Sequence, residues 1–168
     1  MAEFLALEST KEPFHHIHGV GEICWKSMQQ WMHDDGVEIT EHPALDVREY
    51  IYDMASVMRA ADLVICRAGA STLAELTCIG KPAILIPSPN VTNNHQERNA
   101  RVLEHAGGAK VLLEGAFTAD DLYNLVSDLL SDPAQLAQMA ENMRAAGTAD
   151  AAERIADLML KLADRHGK

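Results

Sequence analysis

The chain has 168 residues, 48% of them apolar, and a net charge of −11. That length suits one domain with its own hydrophobic core, and the acidic balance argues against nucleic acid and against an anionic membrane surface as direct partners. No apolar run reaches membrane-spanning length, the first residues lack a signal peptide's basic start, and Cys24, Cys66 and Cys78 are too far apart for a metal-type pair, so reduced cytoplasmic thiols are expected.

In chain order, residues 2–9 read as the tail of a helix with no capping residue and no preceding strand. Residues 14–20 read as a strand running into a turn at Gly19 and Gly21, and residues 22–34 as a helix with Trp25, Met28, Trp31 and Met32 along one side. A short alternating strand follows at 37–40, then a loop around Pro43. Residues 47–60 read as loop and helix, with Ile51, Met54 and Met58 at helical spacing. The centre of the chain is residues 61–100, two strand–loop–helix units in succession. Leu63 to Cys66 is a continuous apolar run, the pattern of a strand buried on both faces. Gly69 predicts a tight turn, Ser71 to Glu75 opens a helix, and Gly80 and Pro82 close it. Residues 83–86 form the next buried strand, ended by Pro87 and Pro89, and a polar loop at 90–94 leads into a helix that stops at Gly107 and Gly108. Residues 110–113 give the last strand. Three helices finish the chain: one capped by Thr118 over Asp121, one begun by Asp132 and Pro133, and one begun by Asp150 with an apolar stripe at Ile155, Leu158, Met159 and Leu162.

Alternating strands and helices imply an α/β fold, a Rossmann-like doubly wound parallel sheet with helices on both faces. Ligands bind such sheets outside the carboxyl ends of the strands, where the loops at 67–72 and 87–95 lie. At the first loop, backbone N–H groups with no bulky side chain at Gly69 or Ala70 can cradle a diphosphate, and Glu75 can accept from ribose hydroxyls. Spacing alone favours a plainer reading, a capping box between Thr72 and Glu75. At the second, Asn93, Asn94, His95, Gln96, Glu97 and Asn99 suit the hydroxyls of a sugar, or equally a helix start rich in cap-forming Asn. His16 and His18 share a strand face without a ligand-spaced partner, so no metal is expected, and no cofactor. Arg67, at a strand end, can pair with a phosphate or with an acidic neighbour. No Walker sequence, GxGxxG loop or zinc helix motif is present.

The segments ADLVICRAGASTLAEL, GKPAILIPSP and NHQERNA, with HIHGVG and YIYDMA, resemble the MurG family of bacterial N-acetylglucosaminyltransferases over nearly the whole chain. The resemblance implies the C-terminal, donor-binding domain of a GT-B glycosyltransferase, spanning residues 1–168. In this family an inverting transfer moves N-acetylglucosamine from UDP-N-acetylglucosamine to lipid I, giving lipid II for peptidoglycan synthesis at the cytoplasmic face of the cell membrane. By the same resemblance Glu75 holds the ribose, Thr72 with Gly69, Ala70 and Ser71 lies by the diphosphate, and His95 and Gln96, after Asn94, recognise the sugar hydroxyls. The backbone of Ile51 reads the uracil, and Arg67 occupies a motif position without an assigned role.

The family pattern also implies what is missing: an acceptor domain that binds lipid I and carries the base, and the first strand of the sheet with its glycine-rich loop. No catalytic residue is therefore expected in this segment, and no transfer by it alone. The alternative is a non-catalytic UDP-sugar-binding subunit that pairs with a separate acceptor-domain chain. Without the first strand, the strands at 14–20 and 63–66 are expected to close up and pair directly; the alternatives are a homo-oligomer or partner chain filling the gap, or a loose fold.

Overall fold

The computed structural model describes residues 2–11, 14–34, 36–37, 42–148 and 150–166. In order the elements are α1 (Ala2–Lys11), β1 (His16–Gly19), α2 (Glu22–Asp34), β2 (Leu45–Arg48), α3 (Met54–Ala60), β3 (Val64–Cys66), α4 (Ala70–Ile79), β4 (Ala83–Leu85), a 3-10 turn (Thr92–Asn94), α5 (His95–His105), β5 (Ala109–Val111), α6 (Ala119–Leu130), α7 (Pro133–Ala145) and α8 (Ala151–His166). They form two compact units, residues 1–64 with 112–136 and residues 65–111 with 137–168. The α/β fold with parallel strands agrees with the sequence reading. The strand expected at 37–40 lies outside the described residues, save Val37.

In the first unit β1 and β2 pair in parallel, His16 opposite Leu45 and Gly19 opposite Arg48. β2 falls where the sequence predicted loop. Its four residues alternate, with Leu45 and Val47 buried and Asp46 and Arg48 exposed, the latter two joined by an ion pair. Two inward side chains after Pro43 are too short a pattern to read as a strand; the burial of Leu45 and Val47 against Leu5, Met32 and Val37 makes it one. Trp25, Met28 and Trp31 of α2 pack on that core as their spacing predicted. α6 buries Leu122, Val126 and Leu129 and begins with a capping box, in which the Thr118 hydroxyl accepts from the Asp121 N–H at 3.1 Å and the Asp121 carboxylate accepts from the Thr118 N–H at 2.8 Å. Replacing Thr118 by Ala should lower stability by about 1 kcal/mol, measured by urea unfolding.

In the second unit the strand order is β3-β4-β5. β4 is buried at every residue because it lies between two strands. β3, expected to be buried on both faces, is only half-buried, because it is an edge. α4 ends as Gly80 and Pro82 predicted: Gly80 adopts φ 65°, and the N–H groups of Gly80 and Lys81 return to the carbonyls of Thr77 and Leu76. α7 lies over the C-terminal ends of α4 and α5. The Arg144 side chain covers Gly80, Asn142 donates to the Gly107 carbonyl at 3.2 Å, and a Cβ on Gly108 would stand 3.0 Å from the Met143 backbone. The stripe read on α8 is exposed at Ile155, Leu158 and Met159.

β1 and β3 do not pair with each other. β1 belongs to a two-stranded sheet with β2, and β3 to the three-stranded sheet with β4 and β5. The closure expected from the sequence therefore does not occur. A ladder between strands of four and three residues would add only a few backbone hydrogen bonds, each of small net worth. Residues 2–9 are helical, as read.

Candidate functional site

The second unit brings two loops to the carboxyl ends of adjacent parallel strands, β3 and β4. β3 leads through Arg67, the fully buried Ala68 and Gly69 into α4. Gly69 is the N-cap with φ −68° and ψ 143°, ordinary extended backbone, so the tight turn predicted there does not need a glycine. What glycine supplies is openness: a Cβ would meet nothing closer than the Thr72 hydroxyl at 4.0 Å. α4 starts at Ala70, with Gly69 as its N-cap, three residues earlier than a capping box from Thr72 requires. Thr72 thus stands inside the first turn and cannot be an N-cap, and the box with Glu75 is ruled out. The N-terminus of α4 is left with no side-chain cap, flanked by exposed Ser71, half-buried Thr72 and, one turn on, exposed Glu75. That is an anion-favouring end, with partial positive charge on its free N–H groups.

Arg67 ties the two strand ends together. Its guanidinium donates to the Ile86 carbonyl at 3.2 Å, and the Ile86 N–H donates to the Cys66 carbonyl at 2.9 Å. Burial pushes the neighbouring Cys66 thiol up to about 12, so it is neither thiolate nor nucleophile at neutral pH.

The second loop runs from Ile86 to α5. Its backbone is unusual at Asn93 and Asn94, consecutive non-glycine residues at φ 56° and 50°; Asn is among the few side chains that tolerate this region. Around them the side chains are held by backbone and carboxylate groups. Gln96 Oε1 accepts from the Ser88 N–H at 2.9 Å, His95 Nδ1 lies 2.9 Å from the Thr92 carbonyl, and Asn94 Nδ2 donates to Glu97 Oε2 at 2.5 Å. Behind them Glu97, Arg101 and Glu104 form a charged row along α5, and Glu104 accepts from the Val111 N–H of β5 at 3.0 Å. The sequence reading missed Ser88: a backbone N–H between two prolines carries no side-chain signal.

Ile51 belongs to the first unit. It is buried, 7% exposed, and packs where a Cβ on Gly19 would stand 3.2 Å from its Cδ1. Its neighbours Tyr50 and Tyr52 are exposed and meet edge-to-face, centroids 5.0 Å apart. The histidines of β1 also find a partner the sequence did not reveal. His16 Nδ1 is 2.6 Å from the carboxylate of Glu8, a residue of α1 that is 2% exposed, and the His16 and His18 rings stand 5.5 Å apart. Among the described residues no group of three His, Cys, Asp or Glu side chains is placed to hold a metal ion.

Residues 2–155 match the glycosyltransferase family 28 C-terminal domain. The chain is 42% identical over 159 residues to the UDP-N-acetylglucosamine--N-acetylmuramyl-(pentapeptide) pyrophosphoryl-undecaprenol N-acetylglucosamine transferase of Acetivibrio thermocellus, covering 95% of this chain and 42% of that protein. To the transferase of the same name from Salinibacter ruber it is 46% identical over 144 residues, 86% of this chain and 39% of the relative. The crystal structure of MurG from Acinetobacter baumannii superposes with a TM-score of 0.79 at 30% identity, over 95% of this chain and 44% of that one. The chain thus spans about two fifths of the length of the relatives it matches.

Proposed function

This chain belongs to the glycosyltransferase family 28 C-terminal domain family, and from that membership we propose that it is the donor-binding half of an inverting glycosyltransferase. Its ligand is UDP-N-acetylglucosamine, and the acceptor of the whole enzyme is lipid I, bound by a domain outside this segment. The observation that carries the reading within this chain is the open α4 N-terminus. Its uncapped N–H groups suit a diphosphate, and Glu75 one turn on suits the ribose. Asn94, His95 and Gln96 then serve the sugar, and Arg67 stands by the phosphates.

In the transfer a hydroxyl oxygen of the acceptor attacks the anomeric carbon as the bond from that carbon to the diphosphate oxygen breaks. The diphosphate leaves with the bonding pair, its charge stabilised by helix-end N–H groups, and the hydroxyl proton passes to a base of the acceptor domain. No helix of the described residues is long and apolar enough to cross a membrane, and we place the enzyme peripherally on the cytoplasmic face.

Calorimetric titration tests this. UDP and UDP-N-acetylglucosamine should bind in preference to ADP and GDP; equal binding of all three diphosphates, or of none, would overturn the reading.

A further inference from the structure

We infer that the loop before α5 biases the hydrogen-bond polarity with which the site meets its sugar: Gln96 toward its NH₂ donors, His95 and Asn94 toward an acceptor atom. This rests on the donor-site reading and adds to it which atom of each side chain is available. A backbone N–H donates, so the Gln96 atom 2.9 Å from the Ser88 N–H is its amide oxygen, and the remaining group is the NH₂ with its two donors. A carbonyl oxygen accepts, so the His95 Nδ1 that lies 2.9 Å from the Thr92 carbonyl carries the proton, and in the neutral ring Nε2 is left with a lone pair. A carboxylate also accepts, so Asn94 turns its NH₂ to Glu97 and keeps its carbonyl oxygen for other partners.

Each of these three side chains is intrinsically able to present either polarity at its tip. Each has been turned one way by a group that belongs to the loop or to the first turn of α5. The positive φ of Asn93 and Asn94 is part of the same arrangement, since it shapes the turn that carries the Thr92 carbonyl to His95. A neutral sugar edge that offers an oxygen acceptor to Gln96 and hydroxyl donors to His95 and Asn94 fits this polarity. Asn94 and His95 are exposed and turn to water where a sugar group mismatches them, whereas Gln96 is half-buried, so a mismatch costs most at its NH₂.

The test has two arms. In the free protein, long-range nitrogen–proton NMR reads the His95 tautomer directly. The Nδ1–H form is expected, and an Nε2–H form overturns the proposal. In the second arm, calorimetry compares UDP with UDP-N-acetylglucosamine for wild type and Gln96→Glu. The carboxylate still accepts from Ser88 but offers no donor, so the ratio of the two affinities should fall by about tenfold. An unchanged ratio overturns the proposal. Failure of UDP itself to bind wild type strikes instead at the donor-site reading, and the tautomer arm still decides the polarity of His95.

Discussion

Glu75→Ala is expected to weaken UDP binding by about 1–3 kcal/mol, five- to 150-fold in affinity, which is the cost of losing charge-assisted hydrogen bonds to hydroxyls. The loss should be confined to ligands with an intact ribose. A 2′,3′-dideoxy uridine diphosphate should bind wild type and variant alike, and discrimination by the variant as strong as by wild type would refute the ribose role. The capping-box reading makes a different prediction, namely that Glu75→Ala and Thr72→Ala both destabilise the fold. Because α4 begins at Ala70 and Gly69 is its N-cap, neither substitution removes a cap, and both variants should unfold within about 0.5 kcal/mol of wild type. A loss of binding by Glu75→Ala without loss of stability therefore separates ligand recognition from helix capping in one experiment.

The second large effect concerns acid. The His18 imidazole is held well below its ordinary range, at about 4, chiefly because burial disfavours its charged form and secondly because His16 stands beside it. Between the ordinary value of 6.5 and this lowered one, the unfolded chain takes up a proton that the folded chain refuses. Stability from this residue is therefore fully present above about pH 6.5 and is lost as the pH falls toward 4, by about 2–3 kcal/mol in all. Trp25 and Trp31, which pack on the same unit's core, report the loss as a falling urea midpoint in fluorescence. His18→Leu should flatten the curve between pH 6.5 and 4.5, a window above the titration of ordinary carboxylates. A variant that tracks wild type through that window would assign the acid sensitivity elsewhere.

The elements differ in how legible they were. α6 was written out locally: Thr118 and Asp121 are three residues apart, Leu122, Val126 and Leu129 repeat at helical spacing, and the capping box forms as read. β4 was equally plain, because a strand covered on both sides is apolar at every position. β2 was not, since half of a four-residue strand is polar and only Leu5 and Met32, distant in sequence, make its other half a core. The Thr72–Glu75 spacing pointed the wrong way for a related reason. A capping box and a helix interior share that spacing, and the choice between them lies in where the preceding backbone turns.

The sequence alone determined the α/β class, the two loops that gather the polar residues, and the family, because glycine, proline and apolar runs act over a few neighbouring residues and the motifs are continuous in the chain. Only the tertiary structure decided the rest. It separated β1 and β2 from the sheet of β3, β4 and β5, buried Glu8 against His16, and set Gln96 on the Ser88 N–H and His95 on the Thr92 carbonyl. These are matters of which groups meet through space. A side chain's identity states which hydrogen bonds it is able to make, but the partner that uses one end, and so fixes what the other end offers, is chosen by the fold.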